Sequence, residues 1–274
     1  MQGLAELLPV SSSAHVVVAE KLMGLDPSAP AMTLLLVMLH TGTMFAVILY
    51  FWKTWRDTYF RSAYVAKEFG ILLVLATVIT GVIGEVLIKL IEKVALRSSP
   101  AAEVEQLFGR LELIAPALAA AGILILVAGV AERKRQAKPV ALGARQAGLI
   151  GAVQGLCLPF RGFSRSGATI STGMLAGVPK DQAEKFSFAL AVLLTPAAIG
   201  REALRLFKTA HGSGLGAFAA PLAPCLLGAA LAFLAGLVAL KWLSRWLETG
   251  RWYLFGIYCL AASAVVAALH FNGY

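Results

Sequence analysis

Hydroxyl, imidazole and guanidinium groups gather at two places in this chain, Pro9-Val10-Ser11-Ser12-Ser13-Ala14-His15 and Gly162-Phe163-Ser164-Arg165-Ser166-Gly167-Ala168-Thr169. Each segment interrupts apolar sequence, and each follows the same tripeptide, Gln2-Gly3-Leu4 or Gln154-Gly155-Leu156. A serine ahead of an apolar helical run is a good N-cap, and the unpaired amides and dipole at that helix end favour an anion. Arg165 can hold two oxygens of a phosphate in a planar fork. Two helix starts of this kind with one arginine suit a phosphate or diphosphate; the plainer reading is that the serines only cap their helices.

Ser12 and His15 are spaced i,i+3, so on a helical first turn the imidazole can approach the hydroxyl and act as its base, or as an acid for a leaving group. Gln2 and Glu6, spaced i,i+4, share a helix face leading towards the serine turn. Glu6 has no obvious exit to water. Such an acid reads as a ligand to a divalent cation or a general base, against a structural role as an ion pair with Arg165 or a cap for a turn amide. His40 reads as a satisfied core histidine, and Glu85 with Lys89 as a snorkelling pair near a helix end.

These groups sit in a chain of 274 residues that is 59% hydrophobic and only 14% charged, with a mean hydropathy of +0.78. Runs of about 17 to 22 apolar residues are long enough to cross the hydrocarbon core as helices, which makes this an integral membrane protein. The net charge of +9 comes without a basic stripe or nucleic-acid motif, so nucleic acid is excluded as a partner and the charge is read as topology. Cys157, Cys225 and Cys259 lie singly in apolar sequence and read as inert packing residues.

The spanning candidates are residues 32–51, 70–91, 114–130, 187–200, 222–240 and 252–269, six in all, the fourth being short. The loop with Lys53, Arg56, Arg61 and Lys67 and the loop with Arg133, Lys134, Arg135, Lys138 and Arg145 are two crossings apart, so both can face the cytoplasm. The loop between them balances Lys93, Arg97 and Arg110 against Glu103, Glu105 and Glu112 and fits the outer side. Residues 1–24 and 147–178 are apolar, then serine-rich, then apolar again, with arms too short to span. Each reads as a re-entrant helix-turn-helix buried inside the bundle. The predicted fold is therefore an all-α polytopic membrane protein with six transmembrane helices and two re-entrant segments. It forms a single membrane domain, 1–274, in which residues 1–130 and 147–270 are an inverted-topology repeat with tips meeting near the midplane. Arg201, Arg205 and Lys208 run against this layout, since they fall on the outer side.

The sequence resembles the bacterial undecaprenyl-diphosphate phosphatase family, also known for bacitracin resistance. The likeness rests on two stretches, Gly3-Leu4-Ala5-Glu6-Leu7-Leu8-Pro9-Val10-Ser11-Ser12-Ser13-Ala14-His15 and Gly162-Phe163-Ser164-Arg165-Ser166-Gly167-Ala168-Thr169-Ile170-Ser171. Further similarity runs through Leu39-His40-Thr41-Gly42-Thr43, Glu184-Lys185-Phe186-Ser187-Phe188 and Phe255-Gly256-Ile257-Tyr258. The resemblance implies removal of the terminal phosphate from a C55 isoprenoid diphosphate lipid in the bacterial inner membrane, dependence on Mg2+ or Ca2+, and an active site open to the outer face. Carried over by position, Glu6, Ser12, His15 and Arg165 are the catalytic group. Ser11, Ser164, Ser166 and Thr169 are carried over as phosphate contacts; Ser13 and Arg161, beside them in this sequence, are read as further substrate contacts, and Glu6 with Gln2 as the metal ligands. The chain departs from the family where Gln2 stands in place of a usual glutamate, which bears on metal use, and where Arg161 stands near the family's proline.

In the mechanism expected on these grounds, Arg165 and the two helix N-termini neutralise the diphosphate, Ser12 attacks the terminal phosphorus and His15 handles the proton. His15 as nucleophile, or direct attack by water, stays open. The rival class is an inverted-repeat transporter or flippase for an anionic prenyl-phosphate lipid. A homodimer is among the assemblies the sequence allows.

Overall fold

A computed structural model describes residues 1–24, 30–95, 109–135, 138–209 and 216–273. Within them the secondary structure is helical: α1 (Gln2–Ala5), α2 (Ser12–Leu22), α3 (Pro30–Thr58), α4 (Ala63–Ala95), α5 (Leu111–Lys134), α6 (Ala144–Cys157), α7 (Arg165–Leu175), α8 (Lys180–Thr209), α9 (Gly216–Glu248) and α10 (Tyr253–Phe271). Among the described residues, five helices are long and apolar enough to cross a membrane, over Leu34–Thr58, Ala63–Val94, Leu111–Lys134, Ala223–Glu248 and Tyr253–Phe271. This is a multi-pass membrane protein. On α4, Ile71, Val74, Val78, Val82, Val86 and Leu90 recur at helical spacing and are all exposed, a stripe that a lipid environment covers and water would not.

Of the six spans predicted from sequence, five meet the length and composition of a crossing. The remaining one, residues 187–200, lies inside α8, whose second half includes side chains outside the described residues. Its apolar run is bounded by Glu184 and Lys185 on one side and Arg201 on the other, and 14 residues rise only about 21 Å against a core of about 30 Å. Arg97, Glu103 and Glu105 of the predicted outer loop, and the side chains of Arg201, Arg205 and Lys208, lie outside the described residues.

The serine-rich segments each join two short helices. α1 turns into α2, and α6 leads through a loop into α7. At 11 residues each, α2 and α7 rise about 17 Å and cannot cross by themselves. The arms dock through glycines where neighbouring backbone leaves no room for a side chain. A Cβ at Gly3 would stand 2.6 Å from the Ala232 carbonyl oxygen of α9, and one at Gly151 would press on the backbone of Ala76 of α4. Close backbone approach of this kind is how helices associate in lipid, where apolar contact alone gives little preference for protein over bilayer. We expect Gly151→Val to destabilise the protein by about 1 to 3 kcal/mol, read as a lower thermal unfolding midpoint in detergent. An unchanged midpoint would mean that α6 and α4 can part without loss.

The remaining packing places α3 against α8 and α9, α4 against α6, and α5 against α7 and α10. α5 and α10 run antiparallel. Gly129 faces Tyr253, Gly122 faces Gly256 and Cys259, and the Ser263 hydroxyl donates to the Ala115 carbonyl at 2.7 Å. One end of this pair is basic: the Arg133 guanidinium covers the Tyr253 ring at 4.7 Å, and Arg135 donates to the Met174 carbonyl at the end of α7.

Candidate active site

Ser11 is the N-cap of α2, but its side chain makes no capping bond. Its backbone adopts φ of 63°, the one positive value at a non-glycine residue among those described, a conformation that costs on the order of 1 to 3 kcal/mol and persists where surrounding structure imposes it. The first-turn amides of α2 are thereby left without a side-chain acceptor. α7 is capped as the sequence predicts, with Ser164 Oγ accepting from the Gly167 amide at 3.2 Å.

The two segments meet. Ser166 Oγ donates to the Leu8 carbonyl at 3.3 Å, the Gly162 amide donates to Ser13 Oγ at 3.3 Å, and Cys259 Sγ reaches the Pro9 carbonyl at 3.3 Å. Between the segments lies a cavity of about 360 Å³ whose lining includes Gln2, Glu6, Ser11, Ser12, Ser13, Arg161, Ser164, Arg165 and Ser166, together with apolar Leu8, Val16, Leu36, Leu158, Phe160 and Phe163.

Glu6 is the hub. Its Oε2 accepts from Ser12 Oγ at 2.5 Å and from Gln2 Nε2 at 2.9 Å, while its Oε1 accepts from Arg165 Nη2 at 3.0 Å. With its side chain 14% exposed, the carboxylate is largely shielded from water, which strengthens each of these bonds. Ser12 and Arg165, 153 positions apart in sequence, thus share one carboxylate.

Two predicted residues stand elsewhere. His15 does not engage Ser12: its Nδ1 donates to the Ser11 carbonyl at 2.8 Å, its Nε2 accepts from the Tyr258 hydroxyl at 2.6 Å, and the two rings are nearly parallel with centroids 5.7 Å apart. The i,i+3 spacing brings the backbones near, but the imidazole takes partners on α10 and in the turn. Thr169 is fully buried behind Arg165, donating to the Arg165 carbonyl at 2.8 Å and lying 2.6 Å from Ser187 Oγ. It buttresses the arginine's backbone and does not line the cavity.

His40 corrects the sequence reading in the other direction. It lines the cavity, with Nδ1 donating to the Leu36 carbonyl at 2.8 Å. Nε2 is therefore the acceptor, 3.4 Å from Gln2 Nε2 and 3.7 Å from Glu6 Oε2. Its polar neighbour Thr41, one residue on in an otherwise apolar helix, was a weak signal for this placement.

A family model described as "Bacitracin resistance protein BacA" matches residues 1–265. The chain belongs to this family. Over 272 residues it is 57% identical to "Undecaprenyl-diphosphatase 2" of Acinetobacter baylyi, covering 98% of this chain and 94% of that protein. It is 35% identical to "Undecaprenyl-diphosphatase 1" of Burkholderia pseudomallei, covering 96% and 91%, and 32% identical to "Undecaprenyl-diphosphatase 2" of Burkholderia ambifaria, covering 100% and 93%.

In this BacA-family site the predicted cation ligands, Glu6 and Gln2, are adjacent and hydrogen-bonded. Among the described residues no group of three or more His, Cys, Asp or Glu side chains could hold a metal by itself. Gln2 Oε1, however, is buried with no hydrogen-bond partner, on the same amide whose Nε2 donates to the Glu6 carboxylate. A carboxylate and an amide oxygen are hard donors, and two of them fit a cation that takes the rest of its shell from phosphate oxygens and water.

Proposed function

We propose that the protein hydrolyses undecaprenyl diphosphate to undecaprenyl phosphate and inorganic phosphate, returning the lipid carrier to cell-wall synthesis and conferring bacitracin resistance. The observation that carries this reading is Glu6, which holds a hydroxyl nucleophile through one oxygen and a phosphate-binding guanidinium through the other. The relatives named above are all diphosphatases, which favours hydrolysis over transport.

Arg165 and the amides at the starts of α2 and α7 hold the terminal phosphate and offset the charge that builds on its oxygens. Ser12 Oγ attacks the phosphorus, its proton passes to Glu6 Oε2 along the 2.5 Å bond, and the anhydride bond breaks to release undecaprenyl phosphate. Water then attacks the phosphoserine, releasing inorganic phosphate and restoring the hydroxyl. His15, with Nε2 bonded to Tyr258, braces the Ser11 turn through that residue's carbonyl. A divalent cation, Mg2+ or Ca2+, would be held by Glu6 and Gln2 and would neutralise phosphate charge.

The layout we propose is an inverted repeat of residues 1–130 and 147–270, with α8 as the sixth crossing and α1–α2 and α6–α7 as re-entrant pairs. Matched packing supports it: α1 lies on α9 as α6 lies on α4, and α3 and α8 lie on each other. The protein would sit in the inner membrane with its cavity open to the outer face. Supporting this, Gly162 of the α6–α7 loop packs on Ile114, near the end of α5 opposite Arg133, Lys134 and Arg135, and basic ends favour the cytoplasm.

Purified protein in detergent, given undecaprenyl or farnesyl diphosphate with Mg2+, is expected to release phosphate continuously, and excess chelator is expected to lower the rate at least about tenfold. No release with any divalent cation from correctly folded protein would overturn the hydrolase reading. Full activity in chelator would overturn the cation's role alone.

A further inference from the structure

The cavity is also lined by a second arginine and a second glutamate that the proposed chemistry leaves unused. Arg161, in the loop after α6, and Glu20, in the last turns of α2, both line it, and the two charges are within electrostatic reach of each other. Glu20 sits near the C-terminal end of its helix, where the dipole disfavours a carboxylate and a cation is welcome. The backbone beside Arg161 is pinned elsewhere: the Gly162 amide bonds Ser13 Oγ at 3.3 Å, one residue from the nucleophile. Glu20 is seven residues further along α2 than Ser13, about 10 Å along the axis. Arg161 therefore starts at the level of the reacting groups and must extend along the cavity to meet Glu20. The long, jointed stem of an arginine can point either way from one backbone position.

We propose that Arg161 is a second, movable anion ligand of this cavity, exchanging its Glu20 partner for the lipid-bearing phosphate of the diphosphate while Arg165 holds the terminal one. The inference rests on the diphosphatase reading and assigns specificity within it. Two arginines four residues apart answer two linked phosphates; a monophosphate engages only one of them. Glu20 then acts as a competitor that must be displaced, so it weakens the hold on the second phosphate, and removing its charge strengthens that hold. Arg161 governs binding and leaves the bond-breaking step to Ser12, Glu6 and Arg165.

The consequence is a pair of opposite effects from one charge pair. In phosphate-release assays, Arg161→Gln is expected to raise KM for farnesyl diphosphate about tenfold with kcat changed much less. Glu20→Gln should lower KM several-fold. In the double variant the gain from Glu20→Gln should vanish, because it acts only through Arg161. Arg161→Lys, which keeps the charge, should fall between, and farnesyl monophosphate inhibition should shift less than diphosphate KM in every variant. A Glu20→Gln protein with raised KM, or effects that simply add, would overturn the exchange. Should the wild-type protein release no phosphate, the hydrolase reading fails separately. The exchange is then decided by the affinities of the same four proteins for a methylene-bridged farnesyl bisphosphonate, with the same ordering expected and the same reversals fatal.

Discussion

Arg165→Ala is expected to lower phosphate release by about three orders of magnitude or more, since it removes the guanidinium that shares Glu6 with Ser12 and the charge-offsetting fork with it. The loss has a second source. Glu6 Oε1 gives up its partner at 3.0 Å, and a carboxylate only 14% exposed is left beside the substrate's negative charge without its guanidinium. Arg165→Lys retains the charge without the planar fork and should recover part of the rate. Initial rates on protein with an unchanged elution profile measure both. Turnover of Arg165→Ala within a few-fold of wild type would remove the mechanism.

Much of this site was legible because the cost of polar groups in apolar sequence is readable without coordinates. The Ser12 and Arg165 segments stand out against their surroundings, and Gln2 and Glu6 sit one helical turn apart. What escaped depended on contacts between distant parts of the chain. Tyr258 takes His15 from 243 residues away, so spacing alone could give a short path to Ser12 but not the rotamer chosen. His40 looked like a core residue because the run of sequence before it is apolar; its neighbours in space include Gln2 and Glu6. Thr169 belongs to the signature yet faces Ser187, which no local pattern reveals. The apolar length of five crossings was plain, whereas only the apolar middle of α8, residues 187–200, stood out, since polar residues such as Lys180, Asp181, Glu184 and Lys185 fill the start of its thirty residues.

Ser12→Ala should be at least as damaging, with phosphate release falling by about a thousandfold or more, because among the described residues no other hydroxyl donates to Glu6. Ser11 and Ser13 hydroxyls face each other at 3.3 Å and cannot take over without rebuilding the turn. Acid quenching during turnover of labelled diphosphate offers an independent reading: wild type should carry label on serine and the variant none. Label absent from wild type while rates remain normal would transfer the attack to water. Near-normal rates in both Ser12→Ala and Arg165→Ala would leave the shared carboxylate without a chemical role.

Matching the two Gln-Gly-Leu tripeptides aligns Glu6 with Leu158, and matching the serine tips aligns Ser12 with Arg165. Under the proposed repeat, the halves have divided labour: one keeps the attacking oxygen and its acceptor, the other the grip. Neither could regain what it has given up by a single exchange, and two copies of either half would assemble a pocket with all grip or all attack. If the repeat holds, the symmetry lies in the backbone and the asymmetry in the side chains.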